Sequence, residues 1–131
     1  MMQILDHEQQ PVEVWHKGVR TRMRTSALNG AAQLCQFEQW CDAGKGAPTH
    51  LHAVEEILTV LKGEAEIWIE GELRLSMTGQ SVIIPAGRKH GFRNVGSETL
   101  HVLATLAAPI FEASFDNQNE LSRRWTPARK E

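Results

Sequence analysis

Cysteine is scarce in this chain, with two in 131 residues, Cys35 and Cys41. On an extended segment, residues six apart lie roughly 20 Å apart at about 3.3 Å per residue, beyond the reach of a disulfide unless the chain folds back. Free thiols are therefore expected. Long apolar runs are also missing: stretches such as Val82-Ile83-Ile84 and Val102-Leu103-Ala104 fall far short of the roughly 20 residues that span a bilayer. No membrane helix is expected. An excess of positive charge is lacking too, the formal net charge being -2, so nothing electrostatic favours nucleic acid or an acidic membrane as a partner. The opening MMQILDHEQQ has neither the basic flank nor the apolar stretch of a secretory signal, which makes the cytoplasm the expected location.

What the sequence does contain is regular punctuation by glycine, at Gly44, Gly46, Gly63, Gly71, Gly79, Gly87, Gly91 and Gly96. Between these marks lie short runs of Val, Ile, Leu and Trp, the pattern of many short strands joined by tight turns. The expected strands are Ala31 to Trp40, Thr49 to Ala53, Glu56 to Leu61, Glu64 to Ile69, Leu73 to Met77, Ser81 to Ile84, His90 to Asn94 and Thr99 to Leu106. Lys62-Gly63 and Glu70-Gly71 each fill a two-residue gap with a glycine that tolerates positive φ, so both predict antiparallel hairpins. Glu64 to Glu70 alternates with period two, which buries one face and places Trp68 on the other, where it covers the sheet or meets a second subunit.

Eight such strands predict an all-β sandwich or barrel in one domain over residues 1–131, with a barrel core at about 31–108. Short strands precede that core. In one of them Arg20, Arg22 and Arg24 share a face, expected to be solvated or to protect a sheet edge. Beyond Pro109 a covering tail is expected, with room for a turn or two of helix over Asn119 to Trp125.

The chemistry concentrates in HLHAVEE, residues 50–56. Alternation along a strand points His50 and His52 the same way, about 6.6 Å apart along the backbone, and turns Leu51 the other way. Two imidazoles so placed can converge on one ion. Pro48 stiffens the approach to this strand, and Gly44-Lys45-Gly46 suits the loop before it. Taken alone, a His-x-His pair is weak evidence of a metal.

The wider spacing adds to it. Gly44, His50, His52, Glu56 and Gly63 are separated by five, one, three and six intervening residues, and this pattern resembles the first motif of the cupin superfamily without a departure. Gly79, Pro85, Gly87, His90 and Asn94, separated by five, one, two and three residues, resemble the second motif equally well. The resemblance covers residues 44–94, and ten fixed positions in two ordered blocks are beyond coincidence. It implies a double-stranded jelly-roll barrel in which His50, His52, Glu56 and His90 bind one metal ion.

Three imidazoles and one carboxylate form a nitrogen and oxygen donor set suited to a divalent transition metal, Fe, Mn, Ni, Co, Cu or Zn, with no thiolate to select a softer ion. Four protein ligands in an octahedral site would leave two positions for water, dioxygen or a chelating substrate. Glu55 points away from Glu56 and is expected in solvent, as are Arg88 and Lys89. Asn94 is expected to bond backbone near a strand end, and His101 and His16 are expected to lie outside the ligand set.

The function implied is a metal-dependent enzyme, dioxygenase-like, acting on a small organic molecule held at the metal. Alternatives are a non-catalytic metal-binding or sensor cupin and a cupin isomerase or lyase. A homodimer is expected, with the stretch before residue 31 as its material. The residues lining the barrel mouth stay open between two alternating sets, Gln33, Cys35, Phe37 and Gln39 or Leu34, Gln36, Glu38 and Trp40.

Overall fold

A computed structural model describes residues 2–128. Its twelve strands are β1 (Glu13–His16), β2 (Val19–Thr25), β3 (Cys35–Cys41), β4 (Gly46–Leu51), β5 (Glu56–Lys62), β6 (Glu64–Ile69), β7 (Glu72–Met77), β8 (Ser81–Ile84), β9 (His90–Asn94), β10 (Leu100–Leu106), β11 (Phe111–Phe115) and β12 (Ser122–Arg124). They form two six-stranded sheets, ordered β1-β2-β3-β10-β5-β8 and β12-β11-β4-β9-β6-β7. Neighbouring strands are antiparallel throughout. The two sheets face each other as a jelly roll, the architecture expected from the motifs. Among the described residues no helix is long and apolar enough to cross a membrane.

Period-two alternation explains the core. β5 turns Glu56, Leu58 and Val60 inward, β10 turns Leu100, Val102, Ala104 and Leu106 inward, and their outward neighbours are exposed or half-buried. From the other sheet come Ala65, Ile67, Phe92, Phe111 and Ala113. On β3 the open choice falls to the first set except for Gln33, which precedes the strand and is exposed: Cys35, Phe37 and Gln39 face inward, because Phe37 pairs with Ala104 and Gln39 with Val102 in register with the inner face of β10. Cys35 and Cys41 are buried free thiols, and burial pushes each pKa up to about 12, which leaves them unreactive.

Three expectations need correction. The tail holds no helix over Asn119 to Trp125; Ser122–Arg124 forms β12, which pairs with β11 and lengthens the second sheet. The arginines of β2 are not a free solvated face. Arg22 and Arg24 converge on Glu38, whose side chain is only 1% exposed, with Arg22 at 2.8 Å. Burial alone would raise the Glu38 pKa, but hydrogen bonds from Arg24 and Arg22 outweigh it and hold the carboxyl below its ordinary value. Arg22 also lies over the Trp40 ring at 5.1 Å, and Arg20 is exposed. Finally, at the Glu70-Gly71 turn the left-handed residue is Glu70, at φ 55, rather than the glycine. Trp68 lies half-buried on the outer face, its indole N–H donating to Thr49 Oγ1 at 2.9 Å, and covers Gly91.

Candidate metal centre

Each of the four histidine and glutamate side chains is aimed by a different local device. His50 sits near the end of β4, directly opposite His90 on β9. The two strands slip by one residue between Ala47 and His50, a bulge that contains Pro48. Ala47 and His50 are an odd number of residues apart, so a regular strand would turn them to opposite faces; the bulge lets Ala47 pack on the core while His50 also points inward. Gly46 makes that strand approach feasible, because a Cβ there would stand 2.1 Å from the Phe92 carbonyl oxygen.

His52 follows β4 and is gripped from two sides. Its carbonyl accepts from Gly87 N–H at 2.8 Å, which ties it to the Pro85-Ala86-Gly87 turn, where Gly87 takes φ 77. Its Nδ1 lies 2.8 Å from the Glu112 carbonyl of β11. Glu56 opens β5 in the opposite sheet, and His90 opens β9 just after the turn. The group therefore joins both sheets. All four side chains are buried, and one ligand atom from each lies within 4.8 Å of the others.

The ring nitrogens reveal what the group lacks by itself. His50, His52 and His90 each place Nδ1 against a backbone carbonyl, of Pro48 at 2.6 Å, Glu112 at 2.8 Å and Arg88 at 2.9 Å. A neutral imidazole that donates from Nδ1 presents a bare lone pair at Nε2. Yet His52 Nε2 and His90 Nε2 stand 3.2 and 3.1 Å from Glu56 Oε1. Lone pairs then face a carboxylate, an arrangement that needs a positive charge between them, a proton or a metal cation. The donor set and its outer carbonyl partners thus fit a divalent ion.

The electrostatics agree in sign. Burial, and then the neighbouring His90 and His52, push the His50 pKa down to about 4, so this imidazole is neutral near pH 7. Burial alone would raise Glu56, but with protons on the Nε2 atoms of His52 and His90, standing where a cation would, hydrogen bonds from those rings hold it at about 2 as a carboxylate. Burial would also depress His52, and the Glu56 carboxylate reverses that and raises it.

The group opens into a cavity of about 400 Å³. Phe37, Phe92, Phe111 and Phe115 supply much of its wall, with Phe115 stacked on the His50 ring at 4.9 Å and Phe111 edge-on to His52 at 5.4 Å. Trp15 and His16 from β1, and Arg124 from β12, also line it. Sequence reasoning did not find these residues. Nothing local marks them, because they reach the cavity only through the pairing of the terminal strands with the sheets. The other expectations hold: Glu55, Arg88 and Lys89 are exposed, and Asn94 donates to the Cys41 and Glu98 carbonyls. His101 stacks on Trp40 and sits 3.3 Å from Glu38, on the outer face and away from the four.

Residues 41–106, half of the chain, match the family described as the cupin domain, and the chain belongs to that family. Among curated proteins it is similar to an uncharacterized protein of Aquifex aeolicus strain VF5, 36% identical over 73 residues. That alignment covers 55% of either protein, so the chain spans about half the length of this relative. Among solved structures it resembles an RmlC-like cupin from Shewanella frigidimarina, with a TM-score of 0.71 at 20% identity over 83% of this chain and 92% of the other. It also resembles the formate complex of an oxalate decarboxylase from Lactobacillus farciminis, with a TM-score of 0.76 at 17% identity over 84% of this chain and 34% of that one. At such identities the two structures share the fold with this chain.

Proposed function

We propose that His50, His52, Glu56 and His90 hold one divalent transition-metal ion and that the protein is a metal-dependent enzyme, dioxygenase-like, acting on a small organic molecule in the barrel. The observation that carries this reading is the facing of two imidazole lone pairs and a buried carboxylate, each imidazole locked through Nδ1 by a backbone carbonyl. A bound ion would supply Lewis acidity to a chelating enediol, hydroxyketone or carboxylate. The chain's own residues do the rest. The carbonyls fix the imidazole tautomers, Glu56 supplies the compensating charge, and the phenylalanine wall gives the ligand an apolar surface beside the four side chains.

Support for turnover rather than storage comes from the cavity, which leaves room beside the four side chains for an organic ligand. The reading extends to a single domain over the whole chain and to a homodimer in the cytoplasm. The deciding experiment is elemental analysis of purified protein beside a His52→Ala variant. Native protein should carry close to one transition-metal ion per chain and the variant little; equal metal in the two would defeat the proposal. Oxygen uptake and product formation on Fe(II)-loaded protein with catechols, diketones and thiols then separate a dioxygenase from an isomerase, lyase or binder.

A further inference from the structure

The cavity wall is chemically lopsided, and its lopsidedness specifies a ligand. Beyond the four clustered residues, Trp15 and Arg124 bring side-chain donors to its lining, neither making a hydrogen bond among the described residues, although Arg124 pairs with Glu13 by charge. The Trp15 indole N–H is buried without a hydrogen-bond partner, although buried polar groups are almost always paired. The Arg124 guanidinium lies over the Trp15 ring, its central carbon 4.0 Å from the ring centroid, which holds it beside the indole. Its acidic neighbour Glu13 is 3.7 Å away, beyond hydrogen-bond range, because the other Glu13 oxygen accepts from the Trp125 indole N–H at 3.0 Å. Arg124 is one-third exposed and lines the cavity, so it keeps donors beyond those facing Glu13.

Between this donor pair and the His52 imidazole lie two rings in series. His52 touches Phe111 at 5.4 Å and Phe111 touches Trp15 at 5.1 Å. At about 30 Å³ per water, a cavity of about 400 Å³ holds the equivalent of about a dozen waters. A two-carbon diacid would leave most of that volume to solvent. A flat molecule of about a dozen non-hydrogen atoms would take up far more of it and stack along the rings.

We propose that the substrate is an aromatic or similarly flat acid, with a chelating head at the metal centre, an apolar body against Phe111 and Trp15, and an anionic group at the far end received by Arg124 and the Trp15 indole N–H. The head's position rests on the metal reading above. The anionic end does not. Arg124 and Trp15 are then specificity determinants, selecting charge at the end of the molecule that does not react.

Calorimetric titration of Zn(II)-loaded protein, with a redox-silent ion that permits binding without turnover, tests this. The probes are 3-(3,4-dihydroxyphenyl)propanoate, which has both ends, 4-methylcatechol, which lacks the anion, and oxalate. Wild type should bind the propanoate roughly tenfold or more tighter than either, as a charge-assisted bidentate contact would give. In Arg124→Gln that preference over 4-methylcatechol should shrink to about threefold or less, and Arg124→Lys should restore part of it. Equal affinity for the propanoate and 4-methylcatechol in wild type overturns the proposal, as does a preference that survives in Arg124→Gln. Metal-free protein titrated with 3-phenylpropanoate and 3-phenylpropanamide isolates the anionic end. A preference for the acid there, lost in Arg124→Gln, sustains the proposal even if zinc fails to bind and the metal reading falls. No preference for the acid there counts against it.

Discussion

A buried carboxylate oxygen 3.1 and 3.2 Å from two imidazole nitrogens, as at Glu56, requires a cation between them or protons on the rings. Replacing Glu56 with Gln removes the charge and presents amide N–H groups to those same nitrogens. Affinity for divalent metal should fall by at least about tenfold, while the metal-stripped variant above pH 7 should melt no lower than wild type, since an uncompensated buried charge has been removed. Metal titration and scanning calorimetry check the two signs separately. Glu38 behaves oppositely, because its compensating charges are already present in Arg22 and Arg24. Its folded pKa lies below the ordinary 4.5, so it contributes stability that is present above pH 4.5 and lost as pH falls through the depressed folded value. Glu38→Gln should cost about 2 kcal/mol at pH 7, less than a fully buried pair because Arg24 is a quarter exposed, and should flatten the pH dependence below 4.5. Urea unfolding from pH 3.5 to 7 measures both. None of this was visible from Arg20, Arg22 and Arg24 alone: their common face was legible, but the Glu38 that faces them arrives by strand pairing.

At the level of elements, the β4–β9 pair aims the site. Its bulge at Pro48 puts His50 inward, and Gly46 allows the strands to close. A methyl group at 46 would meet backbone rather than a movable side chain, so Gly46→Ala should cost about 2 kcal/mol. It should also weaken metal binding, because it separates the strands that carry His50 and His90. Melting temperature with and without added metal gives the comparison; an unchanged metal-induced shift would show that the bulge does not position the ligands. Strand positions from β5 to β9 were readable from alternation and glycine turns. The strands after Pro109 were not. β12 falls in the stretch that left room for a turn or two of helix, because a three-residue strand has too short a period to announce itself, and only pairing with β11 makes it extended.

For the molecule as a whole, a ligand that binds only the folded state stabilises it by mass action. At a hundred times its dissociation constant, one divalent ion should add about 2.7 kcal/mol, which for a domain of this size is a rise in melting temperature of about 5 to 10 °C. Thermal scans with added metal and then with chelator check it, and His52→Ala should abolish the shift. The sequence alone determined most of the strand pattern, because parity decides which side chains share a face and the glycine and proline turns set where each strand starts; the four side chains that cluster in the barrel were marked by the resemblance of two spaced motifs, and the fold brings them together from both sheets. Tertiary structure alone decided the cavity's other end, where Trp15 meets Arg124 across most of the chain, and the fate of the β2 arginines. Contacts between residues so far apart leave no periodic trace in the sequence. They exist because burying their apolar surface outweighs the entropy of bringing the two ends of the chain together.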